Sequence, residues 1–497
     1  MGSMEDALDV SGQTELRTAS RAFVASAFEV LMAEHVIPRP VYDPYVAVGH
    51  DYFGGSIMPL AEYAVLENLL KAAHPERFHE SLIPSAEFAS TYIFSFLEAC
   101  IARCTRAGNL DPMSGVVDEL IDELRAVLVK TTYDIVCARH VCHMTTVSGE
   151  EVQIGDITVV PEPEGYEGLG TRIEREIGGA PRAWNRDVPR PHDPPHSLLI
   201  LREATAGPNP YEDSNRLSGE LDRFLLLTRL LTAGTVQSSY EVSGVPTLVA
   251  PMPPLMRTSG KASYDLLVRR TVRLTGQEAA AFAALGDLID AADVKREGML
   301  ATSFDVALSK YDRSHNGGNP YEHLVDLATA LEAVLIGTDK ENEGLTLRLR
   351  TRVAALLTTE EDPSGALFDD VGLLYTLRSK LVHGGQIKET ELRRIINRIS
   401  TVPDDAIEHR FGTALHHAVD RMRDLVRRAI LARLCLAAKP ESLWPLYGDT
   451  KVDATLADDV QRNAWRKQWR ARLAELGVEY VADRPRSAVD FLSPEDR

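Results

Sequence analysis

LFDDVGLLYTLRSKLVHGG, residues 367–385, decides how the C-terminal half of the chain is read. Leu367, Val371, Leu374, Tyr375, Arg378, Leu381 and Val382 recur at the i, i+3, i+4, i+7 spacing of a helix with one apolar stripe. Arg378 falls on that stripe, where a core residue is expected, and a buried guanidinium without an anion is costly. Gly384-Gly385 then stops the helix. His383 follows Arg378 by five positions, which is about 140° round an α-helix. The helix end must therefore loosen for both groups to reach one cleft.

Working outward, periodicity and breakers predict helices at 276–292, 299–311, 320–337, 343–358, 365–382, 389–399 and 405–437, and a last one at 455–475. In the segment 320–337, Val325, Ala328, Glu332, Leu335 and Ile336 share a face, so Glu332 is a second charge among apolar neighbours. Two misfits of opposite sign point to a Glu332–Arg378 pair across the helix interface; the alternative is that both lie at the stripe edge and reach water through their long stems. The segment 405–437 carries Arg421, Arg423, Arg427, Arg428 and Arg433, which fits either a solvated outer face or a face that tracks RNA.

The N-terminal half reads as mixed. Residues 14–130 are helical in pattern, and 133–160 read as a hairpin turning at Val147 to Glu150. Pro161 to Pro195 reads as a surface loop, Ser197 to Leu201 and Val242 to Val249 as strands, and Leu221 to Leu231 as a helix. The expected fold is mainly α: a mixed α/β region over 1–255, a helical bundle over 256–438, then a linker, a helix and a tail over 439–497.

The ten residues Tyr375 to Gly384 resemble the Y-x-x-R-S-K-x-V-H-G signature of Apea-like HEPN domains. Upstream, Ala307 to Tyr311, Leu324 to Leu327 with Ala330 to Ala333, and Leu349 to Leu357 resemble that family's preceding helices, in the same order. The resemblance covers about 256–438. It implies a HEPN-type helical bundle that dimerises and acts as a metal-independent endoribonuclease in bacterial antiviral defence or an RNA-targeting stress response. It places Arg378 and His383 at the catalytic positions, with Glu332, Tyr375, Ser379 and Lys380 in support. Ser379 stands where active HEPN nucleases often have Asn, Asp or His, and Gly385 stands where AMPylation-controlled toxins have Tyr. A non-catalytic HEPN scaffold for RNA, a nucleotide or a protein is the alternative.

The chemistry suits the residue types. Imidazole titrates near neutrality and moves protons, whereas the planar guanidinium fork matches phosphate oxygens and stays charged. The expected partners are an RNA substrate, a second copy of the chain, and a phage or cellular trigger sensed by the N-terminal region. The formal charge of −19 argues against a surface that coats nucleic acid everywhere. From Arg378 to Arg433, however, 12 Lys/Arg stand against 7 Asp/Glu.

No apolar run approaches the roughly 20 residues of a membrane span, and Met1 to Val10 lacks an export signal, so a cytoplasmic protein with reduced thiols is expected. No cofactor and no metal are assigned. Cys137-x2-His140-x-Cys142-His143, with Cys100 and Cys104 upstream, matches no recognised zinc spacing. Cys100 and Cys104 read as core residues, and His192 to His196 as part of a flexible loop.

Overall fold

The computed structural model describes residues 9–33, 53–73, 86–106, 111, 115–130, 132–161, 195–205, 210–245, 255–258, 271–292, 302–316, 318–337, 344–400, 402, 411–438, 442–446 and 451–478. The chain is mainly helical, with an antiparallel sheet in its N-terminal-to-middle region and a helical C-terminal half. The long loop expected over 161–195 and the tail from Asp483 lie outside the described residues, apart from the loop's two ends.

Four helices open the chain: α1 (Asp9–Ala33), α2 (Ala61–Ala73), α3 (Ala86–Arg106) and α4 (Gly115–Val129). In α4, Val117, Leu120, Ile121, Leu124, Val127 and Leu128 form the buried stripe. Cys100 and Cys104 of α3 are fully buried core residues, as their spacing predicts.

The strands β1 (Tyr133–Cys142), β2 (Met144–Thr146), β3 (Val152–Ile154), β4 (Ile157–Pro161) and β5 (His196–Thr205) follow, then helix α5 (Pro210–Thr232) and strands β6 (Gln237–Gly244), β7 (Leu255–Thr258) and β8 (Val272–Leu274). The main sheet has the order β3-β4-β5-β1-β6-β7, and β2 pairs separately with β8 in parallel. The hairpin is β3–β4, turning at Gly155, not the expected turn at Val147 to Glu150. β1 instead lies at the centre, between β5 and β6. It is buried on both faces, so its residues lack the alternation that marks a half-exposed strand. Arg139 faces α5 and bonds Ser218 and Glu241, while Val136, Ala138, Leu198, Ile200 and Val242 form a separate apolar cluster. β7 begins at Leu255 and β8 ends at Leu274, and the helical bundle of the C-terminal half follows.

That bundle comprises α6 (Ala279–Ala292), α7 (Ser303–Arg313), α8 (Pro320–Leu335), α9 (Leu345–Leu357), α10 (Ser364–Val382), α11 (Glu389–Ile396), α12 (Phe411–Ala437), α13 (Val452–Ala457) and α14 (Asp459–Glu475). Local chemistry sets its boundaries. Thr302 and Asp305 close a capping box on α7, and Asn319 caps α8 ahead of Pro320. The segment before α13 is docked: Trp444 stacks on Trp465 at 5.5 Å and Arg433 lies 3.9 Å over the Trp444 ring. The 440–449 stretch is thus anchored where it is described, not a free linker.

α12 overturns both readings of its arginines. It is the central helix, buried nearly all round, and Arg421, Arg423, Arg427, Arg428 and Arg433 are all buried. Most of their donors go to internal acceptors, because burying a guanidinium is costly unless it is paired. Arg433 Nε bonds the Val334 carbonyl at 3.1 Å. Arg427 Nε and Nη2 bond the Leu230 and Leu231 carbonyls of α5 at 2.7 and 3.1 Å, satisfying the orphan end of that helix. Tyr311 Oη donates to the Arg229 carbonyl at 3.1 Å, and Gln237 Nε2 to the His315 carbonyl at 2.9 Å. One apolar core accordingly contains residues from Leu16 to Val478. No described helix is long and apolar enough to cross a membrane.

Candidate functional site

The candidate residues sit at the C-terminal end of α10. The buried face of this helix is Leu367, Asp370, Val371, Leu374 and Leu377. It is turned slightly from the expected stripe, so Leu377 takes the core position and Arg378 is half-buried at its edge. In α8 the core residues are Leu324, Leu327, Ala328, Leu331, Val334 and Leu335, and Glu332 is likewise half-buried.

The expected Glu332–Arg378 pair does not form. Tyr375 comes between them: its hydroxyl donates to Glu332 Oε1, and its ring lies 5.5 Å from the Arg378 Cζ, within cation–π range. Burial, and then the hydrogen bond and charge of Glu332, push the Tyr375 hydroxyl up to about 12, so it stays a donor. Arg378 Nε is buried without a hydrogen-bond acceptor, and among the described residues no carboxylate pairs with this guanidinium. Lys380 is held by Glu391 of α11 at 2.5 Å.

His383 caps the helix and is exposed. Its N–H bonds the Ser379 carbonyl at 3.1 Å, Gly384 N–H bonds Leu381 at 3.3 Å, and Gly385 N–H bonds Lys380 at 2.7 Å. This is a Schellman ending, with Gly384 at φ +69° supplying the left-handed residue. An added Cβ on Gly384 would meet nothing within 4 Å, so the cost of substitution is conformational. Gly384→Ala is expected to lower stability by about 1 kcal/mol, read by chemical denaturation. No change would mean that the ending relaxes. Within one chain no hydrogen bond, ion pair or ring contact joins His383 to Arg378 among the described residues. The loosened end exposes His383 but does not bring it to Arg378.

Protein-family models, curated proteins and solved structures give no match to this chain. The reading of the site therefore stands on its residues. What the sequence reading missed is the buried ionic centre behind it. Arg421 bonds Asp362 through both Nη atoms at 2.8 and 2.9 Å and Asp370 at 2.9 Å, and Arg428 bonds Asp362 at 2.5 Å and Asp424 at 2.7 Å. Asp370 was the charged residue on the α10 stripe all along. Its spacing was visible, whereas its partners on α12 were not.

Proposed function

We propose that this chain is a metal-independent endoribonuclease of the HEPN type, acting as a homodimer in bacterial antiviral defence or an RNA-targeting stress response. One observation carries the reading: an uncommitted guanidinium, Arg378, sits at the same helix end as an exposed imidazole, His383. Arg378 rests on Tyr375, which in turn is tied to Glu332, so the cation is oriented without being neutralised. Such a fork suits the equatorial oxygens of a pentavalent phosphorane.

Since the two groups do not meet in one chain, a second copy completes the site. Val382, 49% exposed beside His383, supplies apolar surface at this end of the helix. One His383 accepts the 2′-hydroxyl proton as the 2′-oxygen attacks phosphorus. The other copy's His383 gives a proton to the departing 5′-oxygen, leaving a 2′,3′-cyclic phosphate. Ser379 and Lys380 flank the phosphate path, and the N-terminal half senses the trigger.

The test is incubation of the purified full chain with RNA in EDTA. Cleavage is expected to persist with cyclic-phosphate ends and to fall about 100-fold or more in His383→Ala. Equal cleavage by the variant would sink the assignment. RNA binding without cleavage by the parent chain would favour a non-catalytic scaffold, a reading supported by the separation of Arg378 and His383 within one chain.

A further inference from the structure

Strand pairing assembles a set of soft ligands that their spacing in the sequence hides. His196 does not lie in a loop; it opens β5, directly opposite Cys142 of β1. His140 is two residues before Cys142 and so on the same face of that strand. Ligand atoms of His140, Cys142 and His196 lie within 4.8 Å of one another, and all three residues are buried.

The second strand at this point is built to hold His140 by one nitrogen. The β1–β6 register shifts between His140 and Val141, leaving Ser239 as the extra residue of a bulge. Ser239 Oγ bonds His140 Nδ1, while His140 Nε2 is buried with no hydrogen-bond partner. A buried nitrogen left unsatisfied is costly, and a metal ion would take its lone pair. Outer contacts of this kind, fixing one ring nitrogen so that the other can ligate, are the usual support of a metal-bound histidine. The next residue but two, His143, has φ +63°, a conformation uncommon for a non-glycine residue, and is pinned by bonds of 2.8 Å to Pro195 and Val272.

We propose that His140 Nε2, Cys142 Sγ and a ring nitrogen of His196 bind one zinc ion, with water in the fourth position. A thiolate and two imidazoles select a borderline-soft ion over magnesium or calcium. Zinc–nitrogen and zinc–sulfur bonds of about 2.0–2.3 Å place ligand atoms about 3.3–3.7 Å apart in a tetrahedron, so the cluster contracts on loading. His140 is sandwiched between Tyr240 at 4.7 Å and His196 at 4.9 Å. The two imidazoles are nearly parallel, 17° apart, so His196 must turn for both lone pairs to converge. Binding releases the Cys142 thiol proton to solvent and forms the zinc–thiolate bond, with no redox change. This assignment is independent of the nuclease reading.

The experiment is elemental analysis of the full chain, purified without a polyhistidine tag and dialysed. About one zinc per chain is expected, falling to less than about a tenth in Cys142→Ser and in His196→Asn. Cys137→Ala, on the opposite face of β1, should keep its metal. Cobalt(II) added to the apo protein should give a thiolate-to-cobalt charge-transfer band that Cys142→Ser lacks. Because the variants can misfold, the cobalt spectrum of the parent chain decides independently. A parent chain that takes up neither zinc nor cobalt, or cobalt uptake without a thiolate band, overturns the proposal; so does zinc retained by the Cys142→Ser, His196→Asn double variant.

Discussion

Asp362→Ala is expected to lower stability by about 3–5 kcal/mol, as breaking one side of a buried ion pair does. Asp362 is 1% exposed, and the guanidinium groups it serves, on Arg421 and Arg428, are 0% exposed. Removing it leaves two buried cations to share Asp370 and Asp424. Burial raises the Asp362 carboxyl, but the bonds and charges of Arg421 and Arg428 outweigh it and hold the group below its usual range. Its stabilisation is thus present above the unfolded carboxylate value, about pH 4, and is lost as the pH falls through the lower folded-state value. Asp370 differs: burial outweighs Arg421 and Ser400, and its carboxyl sits above the usual range. Asp370→Asn should therefore cost less than Asp362→Ala. Urea denaturation followed by circular dichroism measures both, and a loss below about 1 kcal/mol for Asp362→Ala would show that the centre is not an anchor.

Arg378→Lys is expected to reduce RNA cleavage about 100-fold while changing stability by less than about 1 kcal/mol. Lysine keeps the charge but loses the planar fork that spans two phosphate oxygens. Stability should hardly move, because the guanidinium is half-buried and meets Tyr375 only through the ring face. Single-turnover cleavage and thermal unfolding on the same preparations separate the two effects. Full cleavage by the variant would remove Arg378 from the site. A loss of several kcal/mol would make it an architectural residue, as the scaffold reading requires.

The helices were largely legible from sequence because their signals are local. Asn319-Pro320 starts α8 and Gly384 ends α10 close to where spacing and breakers place them. The sheet was less so. β1 pairs with strands far along the chain, Cys142 with His196 and Val136 with Gly244, and its burial on both faces erases the period of two. The same long-range pairing brings His140, Cys142 and His196 together, whereas the spacing of Cys137, His140, Cys142 and His143 alone matches no zinc pattern. At the candidate site, the apolar stripe of α10 lies a fraction of a turn from the buried face, because Leu377 takes the core position that spacing gives to Arg378, and Asp370 is buried with it. The α12 segment alone does not show that its arginines are buried, because Asp362 and Asp370, the acceptors of Arg421 and Arg428, come from a distant loop and helix. Arginine interleaved with apolar residues on every side of one helix was the signal that should have raised a buried network.

The tethering of α5 bears on how a signal can travel. Its last carbonyls are gripped by Arg427, and Arg421 on the same central helix grips Asp370 of α10, the helix whose far end bears Arg378 and His383. The α5 end and the α10 helix are thus bonded to one and the same central helix. Severing the chain near residue 255 would strand the Arg427 and Tyr311 donors on one fragment and their acceptors on the other. Each fragment would then expose polar groups that the other one satisfies.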